Sequence, residues 1–189
     1  MRHLLNFVTF LEMKLTITLY DSGIKKKASK VSKAHASEIL SLVPTLEKSF
    51  ALFLNKNPHF KGVKDVSISM TLCGKRKIQS MNQKYRQIDK ATDVLSFPVF
   101  ENLRPDKKLR TKNLPQIELG DLVICKEIAK SQAREFKISY EQEVIHLAVH
   151  GFLHLLGFDH EISAKEEKIM ESYESELVNK IYKKLKANQ

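Results

Sequence analysis

Residues 144–160 read VIHLAVHGFLHLLGFDH, which sets His146, His150, His154 and His160 in a stretch that is otherwise almost wholly apolar. An imidazole in such surroundings costs free energy unless its ring nitrogens find partners, and one metal ion engages several at once. Helix geometry decides which of the four can share it. His150 and His154 are four apart and stack on one helical face, a turn from each other. His146 lies roughly 12 Å from His154 along the axis at 1.5 Å per residue. Metal–nitrogen bonds of about 2.0–2.1 Å cannot bridge that distance on a straight helix, so His146 is read as a core or supporting residue. Gly157 supplies a left-handed helix stop, after which the chain can turn back and bring His160 to the same ion.

The resulting pattern, H-x3-H-x5-H with a glycine midway in the second gap, is the spacing of the metzincin metal site. Three neutral imidazoles leave the ion doubly charged with one position open, the arrangement of a catalytic site in which bound water is acidified. Zinc is the expected ion, although three imidazoles also suit nickel, copper and iron. One difference from metzincins redirects the chemistry. Where those proteases carry a glutamate directly after the first histidine, this chain has Gly151, which can transfer no proton. Peptide hydrolysis by that route is therefore not expected. Asp159 is the nearest carboxylate and is read equally as a base, a supporting partner or a turn cap.

Elements to position these residues are visible along the chain. Residues 15–20, 65–72, 93–100 and 117–125 read as strands from their alternation, their β-branched content and the stop at Pro98. Helical spacing predicts helices over roughly 37–54, with Pro44 early in it, and over 75–85, 126–136, 140–156 and 163–186. The last of these has its acids first (Glu166, Glu167, Glu171, Glu174) and its lysines last (Lys180, Lys183, Lys184, Lys186), which complements the helix dipole. The expected fold class is α+β: a single domain over residues 13–189 with a mixed four-stranded sheet packed with helices, and residues 1–12 as an N-terminal extension.

Composition is that of a globular protein, 42% apolar and 29% charged, with a formal net charge of +10. That excess suits an anionic partner, nucleic acid first, or simply a basic solubilising surface. Cys73 and Cys125 sit in apolar runs far apart in sequence and read as buried, reduced and structural. The apolar stretch from Leu4 to Leu11 is too short for a membrane span and lacks a small-residue cleavage site, so the chain reads as cytoplasmic and not membrane-bound.

At this point the residues resemble a known family. HGFLHLLGFDH (150–160) is similar to the signature of the YbeY endoribonucleases, HGxLHLxGYDH, with Phe158 where tyrosine is common. MNQKYRQIDKATDVLSFP (81–98) looks like that family's central block, and Leu119-Gly120-Asp121 like its LGD element. The resemblance covers roughly residues 65–160. It implies a metal-dependent, single-strand-specific endoribonuclease acting in small-subunit rRNA processing and ribosome quality control, with RNA and ribosome-associated factors as partners. It implies zinc ligands at His150, His154 and His160, and a functional arginine at Arg86. Arg86 is chemically suited to hold a phosphoryl oxygen through its planar donor fork, whereas sequence alone would pair it with Asp89 or Asp93. Lys107, Lys108 and Arg110 could follow an RNA backbone, or be merely solvated. Two other readings stand beside this one: a non-catalytic, metal-stabilised ribosome-assembly factor, and a metallohydrolase of another substrate class.

Overall fold

Alternation of apolar residues along four segments builds the sheet. The computed structural model describes residues 13–21, 30–106 and 114–187. The strands are β1 (Lys14–Asp21), β2 (Asp65–Cys73), β3 (Val94–Pro98) and β4 (Gln116–Cys125), in the spatial order β1-β2-β4-β3. β1 pairs parallel with β2 and β2 parallel with β4, while β3 runs antiparallel along β4 as the sheet's edge. The expected mixed four-stranded sheet is what forms. The proposed extension at residues 1–12, and Lys107, Lys108 and Arg110, lie outside the described residues.

One irregularity governs the inner face of β4. The register against β2 shifts between Ser67 and Ile68, where Ser67 pairs with Glu118 but Ile68 pairs with Gly120. This bulge lets Ile117 and Leu119 point into the main core and Leu122 and Ile124 do so after it, although the two pairs have opposite parity. Val123 and Cys125 then face the other side with Cys73, Ile78 and Leu95, forming a smaller cluster. Both cysteines are free and buried there, and burial raises both thiols above their usual pKa, Cys73 to about 11.

The helices are α1 (Lys30–Leu54), α2 (Lys75–Arg86), α3 (Lys126–Glu135), α4 (Tyr140–Leu155) and α5 (Ala164–Ala187), with a short 3-10 turn at Pro58–Phe60. The helix expected from about residue 37 begins at Lys30 instead. Residues 30–37 carry no apolar repeat to signal it, but extending a helix already anchored by packing costs little. Pro44 consequently falls in mid-helix. It deprives the Leu40 carbonyl of its usual donor, on a side of the helix where Leu40 is exposed to water. The opposite side buries Ile39, Leu42, Leu46, Phe50 and Leu54.

α4 is the central helix. Its start is fixed by a capping box in which the Ser139 hydroxyl accepts from the Gln142 N–H and the Gln142 side chain accepts from the Ser139 N–H. The Phe152 ring stacks on Phe50 of α1 with centroids 4.0 Å apart. The other side of α4 presses on the sheet at Gly151. A Cβ there would stand 2.7 Å from Leu122 Cδ2 and 3.1 Å from Ser96 Oγ. Gly151→Ala is expected to lower stability by about 1–3 kcal/mol through overpacking, read as a shift in urea midpoint with the slope unchanged.

Candidate metal centre and its cleft

The end of α4 turns on a Schellman motif. Gly157, at φ +87°, donates its N–H to the His154 carbonyl (2.9 Å), and Phe158 donates to the Leu153 carbonyl (3.1 Å). A side chain at 157 would meet the backbone of Asn102 and Glu101 at 3.0–3.1 Å, so a residue with a Cβ is unfavourable here on two counts. The segment after β3 is strapped onto this turn. Leu103 N–H bonds the Leu156 carbonyl, and Asn57, which also caps the 3-10 turn, donates to the Leu103 carbonyl. Arg104 of this segment is buried despite its charge. Its guanidinium pairs with Glu166 and Asp106 and lies 5.0 Å from the Phe158 ring centre.

This scaffold delivers His160 to the histidine pair on α4. One ring nitrogen from each of His150, His154 and His160 lies within 4.8 Å of the other two. The Nε2 atoms of His150 and His154 stand 3.1 Å apart. Two nitrogens bound tetrahedrally to one ion at about 2.0–2.1 Å are separated by roughly 3.4 Å, so the donor set fits a single zinc-sized cation. Burial first, then the rings of His150 and His160, push the His154 pKa down to about 4, against the opposing effects of Asp159 and a backbone hydrogen bond at Phe158. His154 is thus neutral at physiological pH, the form in which an imidazole can ligate a metal ion. His146 is not part of the group. Its Nε2 meets the Tyr182 hydroxyl at 2.9 Å, and burial lowers its pKa as well.

Two carboxylates lie around the trio. Glu174 Oε2 of α5 is 3.5 Å from His150 Nδ1, a long contact that leaves Nε2 directed at the centre. Sequence reading absorbed Glu174 into the dipole pattern of α5, because nothing local marks it as the partner of a residue 24 positions earlier. Asp159 takes the turn-cap role, accepting the Glu161 N–H at 2.9 Å. Deeper in the fold, Glu143 is buried with Oε2 unpartnered, and its pKa is raised by burial, then by Asp93 and Glu174.

The trio opens onto a cleft of about 950 Å³ whose walls are β3, the end of α2 and residues 157–162. Arg86, the last residue of α2, lines it. Neither of its sequence-expected partners binds it. Asp93 is occupied by Gln132, Thr92 and the Val94 N–H, whose hydrogen bonds outweigh burial and hold it below the usual carboxylate range. Asp89 is held by Gln79. Arg86 Nη2 instead faces Glu161 Oε1 at 3.8 Å across the cleft mouth, an exposed pair of little energetic weight.

An α+β fold with three imidazoles converging in an open cleft defines a protein with a zincin-like metal centre. Comparison with known proteins narrows the class. Residues 25–182 match the family model described as endoribonuclease YbeY, and the chain belongs to that family. It is 41% identical over 117 residues to the endoribonuclease YbeY of Staphylococcus aureus strain bovine RF122 / ET3-1, covering 62% of this chain and 73% of that protein. The Staphylococcus carnosus strain TM300 endoribonuclease YbeY is 45% identical over 105 residues, or 56% and 66% of the two chains. The solution structure of TM1509 from Thermotoga maritima superposes with a TM-score of 0.53 at 26% identity, covering 92% of this chain and 93% of that one.

If Glu174 orients His150, Glu174→Gln should weaken zinc binding roughly tenfold while leaving the fold intact. Chelator-competition titration measures the first and circular dichroism the second; unchanged affinity would remove Glu174 from the centre.

Proposed function

We propose that this chain is a zinc-dependent endoribonuclease that cleaves single-stranded RNA in the maturation of small-subunit rRNA. The observation that carries the reading is the convergence of His150, His154 and His160 in an open cleft, with Arg86 on its wall, in a YbeY-family chain. Its endoribonuclease relatives supply the reaction class. His150, His154 and His160 would hold the ion, which supplies Lewis acidity at a developing phosphoryl charge when bound. The chain's own residues do the rest. Arg86 presents a planar donor fork to a second phosphoryl oxygen on exchanging its weak contact with Glu161. Gly151 leaves no carboxylate in the position a zincin protease uses as base.

A cytoplasmic setting and ribosome-associated partners follow from this role. Among the described residues no helix is long and apolar enough to cross a membrane, and the basic net charge suits an RNA partner. The alternative of a non-catalytic assembly factor with a structural ion fits less well, since structural zinc sites close with four protein ligands and among the described residues only three converge.

His154→Ala should lose both bound metal, read by elemental analysis, and cleavage of single-stranded rRNA. Arg86→Glu should lower cleavage about 10²- to 10³-fold with metal content unchanged. Undiminished cleavage by a metal-free, nuclease-clean preparation would refute the metal-dependent reading, and joint loss of metal and activity in Arg86→Glu would reassign Arg86 to folding.

A further inference from the structure

The cleft wall carries an aromatic side chain that neither the metal centre nor the core uses. Tyr85 precedes Arg86 at the end of α2, lines the same cleft as the histidines and is 56% exposed. Single exposed aromatics are common on protein surfaces and by themselves mean little. Three observations distinguish this one. Its ring is held in place, T-shaped against Phe97 of β3 with centroids 5.1 Å apart. The Lys84 ammonium sits 4.9 Å from the ring centre on a long, flexible stem. And because Arg86 faces Glu161 across the mouth, the neighbouring residues Tyr85 and Ile162 are brought to the same opening, where Ile162 is also largely exposed.

A pre-oriented ring beside a donor fork and a mobile cation matches the chemistry of a nucleotide: a flat apolar base attached to an anionic phosphate. We propose that Tyr85 is a stacking site for one unpaired nucleobase next to the phosphate held at Arg86, with Ile162 as a second apolar contact and Lys84 on the adjoining phosphate. This rests on the endoribonuclease reading above. The occupant is unpaired because a base inside a duplex has both faces covered by its neighbours and presents no surface to a side chain. Stacking is tolerant of base identity, so the site selects strandedness and position rather than sequence. Lys84, next to Tyr85 in sequence, lines a second cavity along α2 with Arg76, Gln79, Ser80, Gln83 and Asp89.

The test uses the metal-loaded full chain and a short end-labelled, single-stranded oligoribonucleotide, with anisotropy read before cleavage sets in. Tyr85→Ala should weaken binding about tenfold or more, while Tyr85→Phe and Tyr85→Trp stay close to the parent. Placing an abasic residue at one position of the oligonucleotide should cost the parent a similar factor and cost Tyr85→Ala nothing further, the signature of a shared contact. Equal binding by Tyr85→Ala, or abasic and alanine losses that multiply at every position, would overturn the stacking site. A parent that binds with this pattern but never cleaves would support stacking and refute the endoribonuclease reading. A parent that cleaves while Tyr85→Ala binds just as tightly would refute stacking alone. No binding by the parent would refute both.

Discussion

The approach of α4 to the sheet at Gly151 is the constraint on which the site depends. The helix can lie on Leu122, Ser96 and Val94 only because residue 151 has no side chain. Leu122 is there to be met only because the bulge before Gly120 reverses the parity of β4. Two of the three converging histidines flank this contact, His150 directly before Gly151 and His154 one turn on. Any displacement of α4 from the sheet would therefore carry two of the three imidazoles with it. The glycine that stands where a zincin protease has its glutamate and the glycine that seats the helix are the same residue, and close packing gives it a reason independent of catalysis.

The third imidazole depends on a different set of contacts. His160 follows a turn whose backbone is closed by Gly157 and whose Phe158 is covered by Tyr173 on one part and approached by Arg104 on another. Buried ion pairs such as Arg104–Glu166 add little net stability, because desolvation offsets most of the attraction. Their directional hydrogen bonds fix geometry instead. Here they tie the segment after β3, the start of α5 and the turn before His160 into one unit.

Most element boundaries were legible in the sequence, because alternation and helical spacing report local burial directly. The His150, His154 and His160 grouping was legible for the same reason: all three lie within one helix and its stop. What escaped the sequence depends on long-range contact. The strand order β1-β2-β4-β3 brings β2 and β4 together across the intervening α2 and β3, and no local pattern encodes it. Glu174 beside His150, Glu161 opposite Arg86, and Arg104 buried beneath Glu166 are each paired with residues far along the chain. Arg104 shows the difficulty plainly, since the sequence that follows it, PDKKLRTK, is dominated by charged residues. The early turns of α1 were missed for another reason: they are helical by extension from a packed segment, without an apolar stripe of their own.

β3 has a consequence beyond the cleft it lines. As an edge strand it presents a row of main-chain groups with no neighbouring strand among the described residues, the template on which another chain can add itself and begin to aggregate. Here the strand is only five residues long and ends on Pro98, which has no N–H to offer. Its outer flank also borders the working cavity, where α4 and the residues after His154 stand over it. The cleft walls therefore double as a guard: together with the short strand they leave an extended foreign backbone too little edge to zip onto.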